Sequence, residues 1–466
     1  MADFMTVVGG GLAGSEAAWQ AAERGLSVRL YEMRPIVQTG AHQSDQLGEL
    51  VCSNSLGSML PDRASGILML ELEKMGSLLL TVARKMAVPA GSALAVDRVG
   101  FAKLVSEHLD DHPHIQVIRE EVQEIPQGLT ILASGPLTSA SLSSALAELT
   151  GEDHLYFFDA LSPIVEADSL NYEVVFRASR YDRGEDEAGD YLNAPFNEEE
   201  YKRFVEALLS AERIPLRSFE QAIERGVKAG MSHYFEGCLP VEVIAGRGEQ
   251  ALAYGPMRPV GLKDPRSGKR PFAVVQLRQD DLAGDLYNLV GFQTNLTYPE
   301  QRRVLRMIPG LEDARFARYG QMHRNTFVNS PKILRPTLQH HDRSDLLLAG
   351  QITGVEGYLG NIATGALAGI NAVRIANGDT PLALPEETML GALCHYVTHA
   401  ESKRFQPMKA NLGILPPLDD GLRRKRRERA KAYAQRASDA FDAFWRHSGE
   451  GLRIAIYNGD SSTIDH

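Results

Sequence analysis

The chain has 466 residues and a mass of 51.1 kDa, is 44% hydrophobic and 23% charged, and so reads as an ordinary globular protein with room for two domains. Its formal net charge of −11 excludes indiscriminate coating of nucleic acid, though not a local basic surface. No apolar run approaches the roughly 20 residues of a membrane-spanning helix, the first strand begins too early to leave room for a signal peptide, and three cysteines without C-x-x-C spacing suit a reducing cytoplasm.

The block MTVVGGGLAG (5–14) is an apolar strand that runs straight into G-x-G-x-x-G. Gly9 permits the tight turn, Gly11 lets backbone approach a pyrophosphate, and Gly14 lets the next helix pack on the strand. Gly10, Leu12 and Ala13 complete the turn and the helix start, whose N–H groups and dipole favour phosphate. A helix is predicted over about 13–24, then a strand at 28–31 that ends in Glu32, 18 residues past Gly14 and placed to accept hydrogen bonds from a ribose. Strand, glycines, helix and acid in this order predict a dinucleotide site. Residues 67–86 carry an apolar helical pattern, ALAVDR follows at 93–98, and a strand at 129–133 stops at Gly135 and Pro136.

The texture changes over 166–335, where acidic helices such as 198–209, scattered aromatics and Gly/Pro turns point to an inserted second domain. GRGEQA (246–251) imitates another fingerprint, but Gly255 and Pro256 end any helix within a few residues. No dedicated nicotinamide domain is expected, so NAD(P)H would visit an open flavin face transiently. Sheet logic resumes in DLLLAGQITGVEGY (345–358), followed by a small-residue helix at 361–369. Gly350, Gln351, Gly354, Gly357 and Tyr358 then form a second place where backbone can approach a ligand. The plainer reading of that segment is a buried Gly/Ala helix packed tightly against a sheet. Coupled to the fingerprint it favours FAD, because flavoproteins of the glutathione-reductase type bring a late segment back to the isoalloxazine; their late motif carries an acid where this chain has Gln351. The expected architecture is α/β: a Rossmann-like FAD-binding domain of the glutathione-reductase type over 1–165 and 336–466, with an inserted α/β domain at 166–335.

Cys52 sits among hydroxyls and an amide in ELVCSNSL (49–56), and Cys238 lies between Gly237 and Pro240 in YFEGCLPVEV (234–243). Turn-borne cysteines in polar settings can be reactive, whereas buried ones behave as small hydrophobes, which is the reading for Cys394 in the apolar stretch 390–397. His395 and His399 share a helix face but lack a third ligand, and no metal site is expected. The basic run from Arg423 to Arg429 is either a solvated helix face or a phosphate contact.

These blocks, with YEMRP, YLNAPFNEEEY, GPMRPVGL, NLVGFQTNLTYPEQ, MHRNTF and FQPMKANLGILPPL, resemble the folate- and FAD-dependent tRNA (uracil-5-)-methyltransferase family, TrmFO-type, over nearly the whole chain. The chain also resembles the MnmG (GidA) wobble-uridine family, which shares the flavin frame and a similar AGQI-x-G-x-x-GY segment, though members are generally longer. The resemblance implies methylation of uridine C5 at position 54 of the tRNA T loop, with 5,10-methylenetetrahydrofolate as carbon donor, reduced FAD as hydride donor and NAD(P)H as reductant. It implies Cys238 as nucleophile and Cys52 as the second essential thiol, in roles that could be exchanged. It also makes the 423–429 run a candidate tRNA contact in a cytoplasmic enzyme. The same chemistry on ribosomal RNA, a flavin oxidoreductase acting on a small molecule, and a flavin-carrying RNA-binding protein stay open as alternatives.

Overall fold

A computed structural model describes residues 4–151, 155–180, 189–214, 239–418 and 426–449. The strand Met5–Val8 is apolar and buried at every position, as a central strand covered on both faces must be. It anchors a five-stranded parallel sheet in the order Leu346–Leu348, Thr130–Leu132, Met5–Val8, Val28–Glu32, Ile115–Arg119. The late strand therefore returns to the same sheet as the fingerprint strand, separated from it by one neighbour.

The first helix, Leu12–Ala22, packs on the returning helix Tyr358–Ala376. A Cβ at Gly365 or Gly369 would overlap the carbonyl oxygen of Ala13 or Ala17. The small residues of the returning helix thus bring two helices into backbone contact, which adds a packing reason to the ligand-approach reading. Residues 67–86 form two helices rather than one, Ala64–Lys74 and Leu78–Lys85. Gly76 breaks the run at φ +72°, and Ser77 caps the second helix by accepting a hydrogen bond from Leu80 N at 3.2 Å.

A second body holds a six-stranded antiparallel sheet, ordered Phe176–Arg177, Tyr191–Phe196, Ala273–Gln279, Leu286–Leu289, Ile164–Glu166, Phe316–Arg318. Its acidic helix Glu198–Ser210 begins with a capping box between Asn197 and Glu200 and turns Tyr201, Phe204 and Leu208 onto the sheet. The stretch before GRGEQA, Val241–Ala245, is a short helix and not a strand, which disposes of the second fingerprint. The chain enters and leaves this body on two antiparallel strands, Leu155–Ala160 and Met322–Phe327. The fold is α/β, Rossmann-like, with an inserted α/β unit, and each sheet has its own apolar core. Among the described residues, no helix is long and apolar enough to cross a membrane.

Candidate active site

At the fingerprint, Gly9 has φ +103° and a Cβ there would sit 2.5 Å from Ala133 O. A Cβ at Gly14 would overlap the Gly9 carbonyl, so both glycines are demanded by the turn itself. Gly11 differs: a Cβ there meets no protein atom within 4 Å, and the residue faces an open pocket. The pocket extends along Leu12, Ala13, Glu32, Ser134 and Gly135. Glu32 accepts hydrogen bonds from Gly10 N at 3.0 Å and from Arg34 N and Nε at 3.0 and 2.9 Å. Burial pushes the Glu32 carboxyl up, but the hydrogen bonds and charge of Arg34 outweigh it and hold the group below its ordinary value. Glu32 is therefore an ionised acceptor on the pocket wall, with Arg34 itself pinned by Glu49 at 3.1 Å.

The pocket leads on to a second one. Val51, Pro136, Gln351, Tyr358 and Asn361 line both, so one elongated passage runs from Glu32 to Cys52. Asn361 Oδ1 is buried and lacks a hydrogen-bond partner, an acceptor aimed at nothing the protein supplies. Gly350 and Gly354 take φ +80° and +81° to shape the far wall, and Gly357 starts the returning helix. An open Gly11, an ionised carboxylate at one end and an unsatisfied amide mid-way fit a long polar dinucleotide such as FAD.

At the far end Tyr358 Oη accepts hydrogen bonds from Cys52 N at 2.8 Å and Ser53 N at 3.1 Å. Three arginines from distant segments converge on the same loop. Arg98 donates to the carbonyls of Leu50 and Cys52 at 3.1 and 3.4 Å and pairs with Asp280 at 2.9 Å. Arg278 donates to Asn54 Oδ1 at 2.8 Å and Ser53 Oγ at 3.0 Å, and Arg318 donates to Ala41 O and Val51 O at 3.2 and 3.1 Å. Burial pushes the Arg278 and Arg318 guanidinium pKa values down and the Asp280 carboxyl up. Two buried cations, Arg98 and Arg278, and the half-buried Arg318 around one buried carboxylate leave the Cys52 loop in a positive field that suits an anionic sulfur or ligand.

Cys238 lies outside the described residues. The chain just after it is anchored at the same site: Val241 N donates to Gln293 O at 2.7 Å, and Gln293 lines the Cys52 pocket. Glu242 accepts from the Thr294 hydroxyl at 2.9 Å and from Asn295 N at 2.7 Å. Of the basic run, 423–425 also lie outside the described residues, and Arg427 and Arg429 are exposed on the C-terminal helix Arg426–Ser448. Cys394 is buried in the helix Met389–His399, and burial pushes its thiol up to about 12. The rings of His395 and His399 stack 4.2 Å apart, with His395 Nδ1 3.0 Å from Glu386. Among the described residues no His, Cys, Asp and Glu cluster could hold a metal.

The structure lines the two pockets with Gly9, Gly11, Glu32, Cys52, Gln351, Gly357 and Tyr358, whereas the sequence reading did not single out Arg98, Asp280 or Arg318. No motif signals them; the only hint was Arg98 closing the block ALAVDR.

The profile of the family described as glucose inhibited division protein A matches residues 4–380. A Bacillus cereus (strain AH187) protein named methylenetetrahydrofolate–tRNA-(uracil-5-)-methyltransferase TrmFO is 53% identical over 440 residues, 94% of this chain and 98% of its own length. An Anoxybacillus flavithermus protein of the same name is also 53% identical, covering 94% of this chain and 99% of itself. Among solved structures, Aquifex aeolicus GidA superposes with a TM-score of 0.67 at 16% identity over 97% of this chain and 78% of that one, a likeness of fold.

Proposed function

Since this chain belongs to the methylenetetrahydrofolate–tRNA-(uracil-5-)-methyltransferase family, within the wider glucose-inhibited division protein A group, we propose that it methylates C5 of uridine 54 in the tRNA T loop. The carbon donor is 5,10-methylenetetrahydrofolate, and FAD occupies the passage from Glu32 to Cys52. The observation that carries this reading is that passage, because it joins a dinucleotide-shaped pocket to a cysteine in a positive field. Residues 1–165 and 336–466 are taken as the FAD-binding domain and 166–335 as the insertion.

Gly9, Gly10, Gly11, Leu12, Ala13 and Gly14 present backbone to the pyrophosphate, and Glu32 accepts from the adenosine ribose. Gly350, Gln351, Gly354, Gly357 and Tyr358 surround the flavin end. Reduced FAD held by these residues would supply the hydride that turns the transferred methylene into a methyl group, with NAD(P)H as the source of electrons. Uracil C5 is too weak a nucleophile to take a one-carbon unit unaided. Cys238 adds as thiolate to C6, which makes C5 enolate-like and lets it bond to the donor carbon. The C5 proton is then lost to Cys52 as the accepting thiolate, and the N5–CH2 bond breaks to release tetrahydrofolate and leave a methylene on C5. Once a hydride has reduced that methylene to methyl, the C6–S bond breaks, returning Cys238 as thiolate and restoring the ring. Because the target uridine is stacked within its loop, it must be exposed before a thiol reaches C6.

The test is incubation of the flavin-loaded protein with unmodified tRNA, methylenetetrahydrofolate and NADPH. 5-Methyluridine should form, and RNA containing 5-fluorouridine should trap a covalent complex that Cys238→Ala abolishes. A flavin-bound protein that makes 5-methyluridine in ribosomal RNA only, or in no RNA, overturns the proposal.

A further inference from the structure

On the second body, next in the chain to Arg318, an aromatic stack ends in solvent. Phe316 and Tyr319 lie 5.1 Å apart at an interplanar angle of 19°, and Tyr319 and Tyr298 lie 5.2 Å apart at 26°. Phe316 is rooted against the apolar core of the six-stranded sheet, whereas Tyr298 is 47% exposed. Arg302, one turn along the helix Tyr298–Leu305, donates through Nε and an Nη to the Tyr319 hydroxyl at 3.1 and 2.9 Å. Arg303 is paired with Glu300, and Arg315 with Glu166 and Asp168, but among the described residues no carboxylate pairs with Arg302.

The stack is built rigidly. Gln301 is fully buried, donates to the carbonyls of Leu296 and Gly320 at 2.8 Å each, and accepts from Gly320 N at 2.7 Å. It thereby clamps the helix that carries Tyr298 to the turn that carries Tyr319. The platform is also tied to both cysteine segments. Arg318, adjacent to Tyr319, holds the Val51 carbonyl beside Cys52. Thr294 and Asn295, a few residues before Tyr298, hold Glu242, four residues past Cys238.

We propose that Tyr298, Tyr319 and Arg302 form a stacking platform at the rim of the site for an unpaired nucleobase of the substrate RNA, next to the uridine that enters. The proposal rests on the RNA-methylation reading and adds where the RNA is gripped. Drawing one base out of a stack leaves its neighbour with a bare face, and a pre-ordered exposed ring restores that contact without a fresh ordering cost. Stacking on an aromatic ring tolerates any base, and an uncompensated guanidinium beside it suits the RNA backbone. The charge favours this occupant: the guanidinium of Arg302 is exposed, and no carboxylate among the described residues neutralises it.

The experiment uses the full-length flavin-loaded protein, unmodified tRNA and a fluorescent single-stranded oligoribonucleotide. Tyr298→Ala should weaken binding of both RNAs by about five-fold or more, and raise KM for tRNA more than it lowers kcat. Tyr298→Trp should bind at least as well as the parent. Arg302→Gln should lower the slope of log affinity against log salt by about one. Flavin content and NADPH-driven flavin reduction without RNA should match the parent in all three. Parent-like RNA binding by Tyr298→Ala, or no binding of the oligoribonucleotide by the parent, overturns the platform. If Tyr298→Ala does not fold, binding lost in Tyr298→Trp or an unchanged salt slope in Arg302→Gln overturns it instead. A parent that binds RNA through Tyr298 but makes no 5-methyluridine sinks the methylation reading and leaves the platform; a methylating parent with an indifferent Tyr298 does the reverse.

Discussion

Gly11 and Gly14 look alike in a motif and differ in what surrounds them. A Cβ at Gly14 would collide with the Gly9 carbonyl, whereas one at Gly11 enters empty space. Gly14→Ala should therefore lower the melting temperature of the flavin-free protein. Gly11→Ala should leave that temperature within a degree or two, the range of a surface change under about 0.5 kcal/mol, and instead reduce bound flavin, read from its visible absorbance. Equal loss of stability in both variants would show that Gly11 serves the turn and not the ligand. The fingerprint was legible because the turn sterics that demand Gly9 and Gly14 act within a few residues. The guanidinium groups around Cys52 were not, since each reaches the loop from a segment with no local signature.

Between elements, Glu71 does what no pattern announces. It lies on the helix Ala64–Lys74 and accepts hydrogen bonds from Met389 N and Leu390 N, at 2.7 and 2.9 Å, at the start of the helix Met389–His399. Burial raises its carboxyl from 4.5 to about 7, although those two N–H groups pull the other way. The folded state thus holds a proton that the unfolded chain has released between these values. The contribution of Glu71 to stability is complete below pH 4.5 and declines as pH rises to about 7, by up to ~1.4 kcal/mol per unit. Glu71→Gln, which keeps only one accepting oxygen, should be less stable than the parent at pH 5, and the gap should narrow by pH 7.5 in denaturant titrations. A gap independent of pH would refute the assignment. The small-residue segment 361–369 was correctly expected to be helical, but its partner, the helix Leu12–Ala22, became visible only in three dimensions.

At the scale of the molecule, the two bodies meet at Cys52. Arg98 begins a helix of the first body, and Asp280 follows the strand Ala273–Gln279 of the second. Asn54 donates across the same junction to Val96 O and Gln279 O at 3.0 and 2.9 Å. Removing one partner of a buried pair strands the other, so Asp280→Ala should cost about 3–5 kcal/mol, measured as a lowered denaturation midpoint. It should also reduce tRNA methylation beyond any loss of flavin, since the Cys52 loop hangs from the same arginine. A midpoint unchanged from the parent would mean that Arg98 is satisfied by the carbonyls alone. The glycine fingerprint, the returning glycine segment, the α/β class and the two cysteine blocks can be read along the chain, because each depends on neighbours a few residues away. That Arg98, Arg278 and Arg318 surround one thiol loop, and that one passage joins Glu32 to it, emerges from the folded molecule alone. Those contacts span up to 277 residues of chain, and they arise from the packing of two bodies, which no local period encodes.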